Sequence, residues 1–206
     1  MKVLNLYAGI GGNRKLWTDV EVTAVELNPE IAKIYQDFFP QDKVVVGDAH
    51  QYLLEHFKEF EFIWASPPCP THSRINEVFV QGGVNPIRYP DMQLYQEIIL
   101  LKFHSVCKWV IENVISYYEP LIKPFEIDNH YFWTNFFVGE FPKGCREHYG
   151  GREKLTNKKG FNIEKYSGIN KTQVLRNCVV PELGLHILNE SKRDIQPELF
   201  RTKEIK

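Results

Sequence analysis

The stretch ASPPCPTHS, Ala65 to Ser73, sets a cysteine directly after two prolines and just beyond the apolar run FEFIWA. Proline fixes φ, and a residue preceding proline is pushed toward extended backbone, so Ser66 to Pro70 reads as a stiff extended loop that aims the Cys69 thiol. A thiolate is a nucleophile, and a carboxyl group opposite it relieves the charge that its attack generates. The companion acid is Glu112 in IENV, at the end of the apolar run KWVIEN, with Asn113 beside it. Each residue also has a plainer reading, because free cysteines are usually buried apolar groups and an acid beyond a strand caps a helix.

A second group precedes this one. Ala8-Gly9-Ile10-Gly11-Gly12 follows the run VLNLY, and glycines at such a turn let the backbone approach a ligand while helix N–H groups face it. The pattern is not GxGxxG, since Arg14 occupies the third glycine's place, and no Gly-Lys-Ser/Thr phosphate loop is present. Glu26 ends the next apolar run, 17 residues after Gly9, where doubly wound folds place the acid that binds ribose hydroxyls. Asp48 ends a third run in VVVGDAH. Together they describe a nucleoside-shaped crevice. A purely structural turn, and a helix cap at Asp48, stay open as alternatives.

These residues need a scaffold that brings strand ends together. VLNLY (3–7), VEVTAVE (20–26), KVVVG (43–47), FEFIWA (60–65) and KWVIEN (108–113) carry strand patterns, and helix patterns lie near 12–18, 29–39, 50–58 and 91–106. Asn28-Pro29 marks a helix start. Strands alternating with helices predict an α/β, doubly wound, mostly parallel sheet with helices on both faces, placing Cys69 and Glu112 at one carboxyl edge. Beyond Asn113, YFWTNFFV (131–138) reads as a late strand and 139–176 as loop or a small irregular lobe, before a helix in ELGLHILNESK and a polar tail. The expected division is a catalytic domain over 1–138 and 171–192, a basic segment over 139–170 and a tail over 193–206.

The 206 residues suit one domain, and 43% hydrophobic with 25% charged residues is a folded composition. The net charge of −1 conceals an asymmetry: residues 143–176 hold nine Lys or Arg against three Glu, a local +6 that leaves about −7 elsewhere. That segment is either a solvated basic face or a phosphate-binding surface. Cys69, Cys107, Cys145 and Cys178 are too far apart for a CxxC pair and fit reduced intracellular thiols, and Cys145 with His148 alone makes no metal site. No apolar run reaches membrane-spanning length and no signal peptide is expected, which makes the cytoplasm the default location and a membrane no partner.

The ordered blocks NLYAGIGG (5–12), VELNP (25–29), GDA (47–49), SPPCPTHS (66–73), IENV (111–114) and QVLRNCVVPELG (173–184) resemble those of the cytosine-5 DNA methyltransferases. The resemblance spans residues 3–114 and returns at 171–188, in the compact style of phage-carried members associated with restriction-modification. It implies a Rossmann-like class I methyltransferase fold, DNA as substrate and S-adenosyl-L-methionine as cofactor. Tyr7, Ala8, Gly9, Gly11 and Gly12 would lie near the methionine part, Glu26 on the ribose and Asp48 on the adenine amino group. Leu27, Ala49, Pro67, Leu94 and Asn177 would line the same pocket, Tyr7 offering a ring face where the family usually has Phe. Cys69 would attack carbon 6 of cytosine and Glu112 would hold N3 and the amino group. Ser66, Pro68, Ser73, Arg74, Asn113, Arg146 and Arg152 would surround the target nucleotide. SPPC also explains itself against the SPPY of amine methylases: an exocyclic amine is nucleophilic once desolvated, whereas carbon 5 needs prior addition of a thiolate.

Two departures stand out. Pro70 replaces the glutamine that commonly follows the nucleophile, and the Gln-x-Arg-x-Arg block expected after IENV is absent, with HYFWTNFF in its approximate place. Arg74, Arg146 and Arg152 are the arginines available as substitutes. Only about 35 residues separate the late strand from QVLRNC, which predicts short or relaxed target recognition or a partner chain that supplies it. Two other functions fit the same residues: a weakly active cofactor-binding subunit that needs a second chain, and cytosine-5 methylation of RNA.

Overall fold

The computed structural model describes residues 1–141, 155–156 and 159–193. Seven strands form one sheet: β1 Lys2–Leu6, β2 Glu21–Glu26, β3 Lys43–Val46, β4 Phe62–Ala65, β5 Lys108–Val114, β6 Phe125–Ile127 and β7 His130–Thr134, in the order β3-β2-β1-β4-β5-β7-β6. The pairings of β1 with β2 and β4, of β2 with β3, and of β4 with β5 are parallel; β7 runs antiparallel to β5 and β6. This is the doubly wound sheet expected from the alternation of strands and helices, with the Rossmann-like order of class I methyltransferases.

Central strands must be apolar on both faces, and β1 is: Val3 packs with Trp17, Val22, Phe62 and Val110 on one side, Leu4 and Leu6 with Leu53, Ile63 and Leu94 on the other. Helices α2 Ala49–His56 and α4 Gln93–His104 cover the second face; α1 Pro29–Phe38 and a C-terminal helix, Pro181–Ser191, cover the first. Caps fix the helix starts: Asn28 Oδ1 accepts from the N–H of Glu30 and Ile31, and Pro29 occupies the first helical position.

Four local expectations are corrected. Residues 12–18 form turns, not a helix: Gly11 sits at φ +84°, outside helical space, and the bonds present are the short Gly11 N–H to Ala8 O and Trp17 N–H to Arg14 O. The segment is pinned by Arg14, whose guanidinium grips both oxygens of Asp42 at 2.8 and 3.0 Å. No helix pattern is expected between 58 and 91, yet Arg74–Gln81 forms helix α3, amphipathic and with no buried residue. The late strand stops at Thr134 and has a partner the sequence did not announce, β6, joined through Asp128-Asn129 at φ 48° and 66°, the two left-handed positions of a type I′ hairpin turn. Finally, Lys171–Arg176 is helix α5, which makes Pro181–Ser191 α6.

The 139–170 segment also contributes to the core. Leu155, Phe161 and Ile163 bury against Ile10, Ile34 and Leu175, and Lys159 is buried with its ammonium donating to the Cys178 carbonyl. The basic face anticipated over 143–176 therefore loses Lys159 as a phosphate contact.

Gly184 in α6 has no room for a side chain: a Cβ would lie 2.2 Å from Asn13 O and 2.6 Å from Asn13 Cα, both backbone atoms. Gly184→Ala must push α6 off the glycine turn, and urea unfolding should show a loss of about 1–3 kcal/mol.

Candidate active site

Register places the candidate residues in a row. Leu6 pairs with Val25 on one side and Ala65 on the other, and Ala65 pairs with Ile111. The next residues along these strands, Tyr7, Glu26, Ser66 and Glu112, therefore emerge together at the carboxyl edge, where the sheet's order reverses between β1 and β4 and ligands bind in open α/β folds.

On the β1–β3 side the glycine turn folds back on β2. Ala8 N–H donates to Val25 O, and Glu26 Oε2 accepts from Gly9 N–H at 2.9 Å while Oε1 accepts from Asn28 N–H at 2.9 Å. A Cβ on Gly9 would meet nothing within 4 Å, so the turn faces open space there; at Gly12 it would meet Cys178 Cβ and Val179 O at 2.7 Å. Gly12 thus seats the QVLRNCVV stretch against the turn. Asp48 does cap α2: Oδ1 accepts from His50 N–H at 2.8 Å and Gln51 N–H at 3.2 Å, and Oδ2 has no hydrogen-bond partner among the described residues. Leu27 and Val46 stand exposed at the ends of β2 and β3, whereas Ala8, Ala49, Pro67 and Leu94 are buried. Open backbone, two carboxyl groups and exposed apolar side chains at one rim suit a nucleoside. Asn177 caps the end of α5, its Oδ1 accepting from Gln173 at 2.7 Å.

A buried polar cluster that the sequence did not signal lies under this rim. Tyr7, at φ 56°, donates its hydroxyl to Glu97 of α4, and His50 Nδ1 lies 2.9 Å from the same Glu97 oxygen. Glu97 is fully buried and its other oxygen has no partner. Burial raises the Tyr7 and Glu97 pKa values, and the hydrogen bond to Glu97 raises that of His50. The one available signal was an acid inside the apolar stripe Leu94, Ile98, Leu101.

On the β4–β5 side the loop is irregular from Ser66 to Cys69, then turns from Pro70, with His72 and Ser73 N–H donating to Cys69 O at 3.0 and 3.1 Å. Asn113 Nδ2 donates to Pro67 O at 3.0 Å and so ties β5 to the proline pair. Trp64 Nε1 donates to Ser66 Oγ, and Thr71 Oγ1 accepts from Asp91 N–H, both at 2.9 Å. Buried His72 bonds through Nδ1 to the Tyr118 hydroxyl at 2.6 Å. Burial first, then the charge of Glu112, pushes the Cys69 thiol up to about 11, so the thiol and the carboxyl share one electrostatic environment. Pro68 is exposed on the same loop.

Ser73 and Arg74 have structural partners here. Ser73 Oγ caps α3, and Arg74 Nε donates to Ser116 O at 2.9 Å. Arg146, Arg152, Cys145 and His148 lie outside the described residues. Among the described residues, the basic side chain brought to Glu112 is His130, whose Nε2 lies 3.7 Å from Oε1. No group of three or more potential metal ligands occurs among the described residues, and among them no helix is long and apolar enough to cross a membrane.

Fold and rim are those of a doubly wound α/β protein with a nucleoside-shaped crevice at its carboxyl edge. Residues 1–114, more than half of the chain, match the model of the C-5 cytosine-specific DNA methylase family, and the chain belongs to that family. Its cofactor is S-adenosyl-L-methionine. Among solved structures the chain is similar to a mutant of DNMT2 from Spodoptera frugiperda, at 26% identity and TM-score 0.38 over 55% of this chain and 35% of that one. The methyltransferase EhMeth of Entamoeba histolytica is 17% identical, with TM-score 0.36 over 55% and 38% of the two chains. An S-adenosylmethionine-dependent methyltransferase from Agrobacterium tumefaciens is 14% identical, with TM-score 0.42 over 57% and 40%. The chain thus spans about a third of the DNMT2 structure's length. No curated protein sequence matches it.

His50 yields a pH prediction. Its pKa is raised above the ordinary 6.5, so the stability contributed by its protonated form is complete below pH 6.5 and lost as pH rises through the raised value. The stability gap between wild type and His50→Gln, read by urea unfolding, should be largest near about pH 6 and shrink toward about pH 9.

Proposed function

We propose that this chain methylates carbon 5 of cytosine in DNA, with Cys69 as nucleophile and Glu112 as the acid that holds the base. The observation that carries the reading is the placement of Cys69 and Glu112 at neighbouring strand ends, the thiol feeling the carboxyl charge, beside a rim fit for a nucleoside. In this role Glu26 takes the ribose hydroxyls, Asp48 Oδ2 the adenine amino group, and Tyr7, Leu27, Pro67 and Leu94 the apolar faces, with Asn177 at the edge of the 8–12 turn. When bound, S-adenosyl-L-methionine supplies an electrophilic methyl group on a sulfonium.

Cys69 gives up its thiol proton to water and adds as the thiolate to carbon 6, and the electron pair displaced from the ring moves toward N3, where the Glu112 carboxyl donates its proton. Carbon 5 is then part of an enamine and nucleophilic. Loss of its proton after methylation, with elimination of Cys69, restores the aromatic ring. A thiol held near 11 is mostly protonated at neutral pH, which keeps Cys69 unreactive until a base occupies the pocket. Asn113 acts by fixing the loop rather than by touching the base. These atoms are hidden in stacked duplex DNA, so the cytosine must be flipped or single-stranded. Of the basic segment, Lys165, Lys171 and Arg176 remain as phosphate contacts among the described residues, and DNA binding should weaken with salt.

Incubation with methyl-labelled cofactor should label unmethylated DNA and not tRNA. DNA carrying 5-fluorocytosine, which cannot lose a proton at carbon 5, should form a covalent adduct with wild type and none with Cys69→Ala. Transfer to tRNA alone, or an adduct that survives Cys69→Ala, overturns the assignment.

A further inference from the structure

Glu112 can donate to N3 only if something holds its carboxyl in place and replaces the proton it gives up. The Gln-x-Arg-x-Arg block expected around the target base is not evident in the sequence; of its candidate substitutes, Arg146 and Arg152 lie outside the described residues and Arg74 is committed to the Ser116 carbonyl. Among the described residues, the ion-pair contact to Glu112 comes from His130.

Its position follows from the β6–β7 hairpin. The two-residue turn Asp128-Asn129 sets the register, so that Phe132 stands opposite Glu112 and His130 opposite Val114. Cross-strand partners share a face, and residues two apart on a strand share it too, so His130 is the diagonal neighbour of Glu112 on that face. Their side chains are 20% and 10% exposed, so the contact is only partly open to solvent. The imidazole is anchored from behind: Nδ1 lies 3.1 Å from the Asp128 carbonyl, which can only accept, so Nδ1 carries a hydrogen and Nε2 is the atom that exchanges a proton with Glu112.

We propose that His130 is the positioning residue that holds Glu112 and resupplies its proton, in the place the family's arginines leave vacant. As the Cys69 sulfur–carbon 6 bond forms, the ring's electron pair comes to N3, and one proton passes from His130 Nε2 through the Glu112 carboxyl to N3. Elimination reverses the transfers. Contact through Oε1 leaves the second carboxyl oxygen for the cytosine amino group. The inference rests on the proposed function. It adds to that function a proton source that an arginine, which does not deprotonate, would not be.

Two measurements test it. The first is the rate of adduct formation with 5-fluorocytosine DNA. His130→Ala and His130→Gln should slow it by roughly tenfold or more, a part of the 10²–10⁴ that general acid catalysis contributes, with cofactor affinity unchanged. His130→Arg should restore the hold on Glu112, read as wild-type alkylation of Cys69, but not the proton supply, so its adduct rate should stay near that of His130→Gln. Adding His130→Ala to Glu112→Gln should cost little further, because the two act as one unit. The second needs no substrate: the rate of iodoacetamide alkylation of Cys69 in the isolated protein, read peptide by peptide by mass spectrometry. Without His130 the Glu112 charge is unbalanced and holds the thiol more firmly protonated, so His130→Ala should slow alkylation several-fold, and Glu112→Gln should abolish the difference. Equal alkylation rates in wild type, His130→Ala and His130→Gln would overturn the pairing. Absence of any adduct in wild type would instead overturn the proposed function, and alkylation would still decide the role of His130.

Discussion

Parallel pairing of β1, β2, β4 and β5 in one register is the constraint from which the rest of the site follows. Because Val25, Leu6, Ala65 and Ile111 lie side by side, the residues that leave the sheet next are neighbours in space although Glu26 and Glu112 are 86 positions apart in the chain. The strands are held rigidly by apolar burial on both faces, so their ends are fixed points. What varies is the loop hung from each end, and each is secured differently. The glycine turn is tied by Gly9 to Glu26, and the proline loop by Pro67 to Asn113.

Polar groups inside this sheet are costly, and most are paired off. Asn5 and Asn13 exchange hydrogen bonds beneath the glycine turn, and Tyr35 joins Arg14 on the Asp42 carboxylate. Tyr7, His50 and Glu97 form a third group, in which the extra hydroxyl of tyrosine over the phenylalanine usual in the family is matched by an acid and an imidazole. Each network fastens an element that carries a rim residue. A rim that must present carboxyl groups to a ligand needs them to stand still, since every rotamer frozen before binding is not frozen during it.

Tight packing of separate segments shows in the C-terminal half. Short connections leave α6 pressed on the glycine turn at Gly184 and bring Lys159, Phe161 and Ile163 inward as packing. A segment that reads as basic and irregular therefore closes the core as well as offering charge. The same economy leaves α3 perched beside the proline loop with its apolar side chains, Ile75, Val78 and Phe79, facing solvent.

Local chemistry made much of this legible in the sequence. Alternating strand and helix patterns sufficed for a parallel α/β sheet, Asn28-Pro29 for the start of α1, and SPPC with IENV for a thiol and an acid at adjacent strand ends, because periodicity, capping and proline stiffness act over a few residues. The cap reading of Asp48 was likewise local, its Oδ1 accepting from His50 and Gln51 N–H. What the sequence could not settle depended on partners distant in the chain. Residues 12–18 carry a helical pattern, yet Gly11 in left-handed space and the approach of Gly184 make turns of them. Arg74 looks free until Ser116 arrives beside it, and Lys159 looks like surface charge until it is buried on Cys178. His130 carries no signal, since only the antiparallel register of β7 puts it diagonally across from Glu112. Sequence determined which groups stand at the strand ends; tertiary structure decided which of them touch, because contact requires two separate segments to be fixed in register.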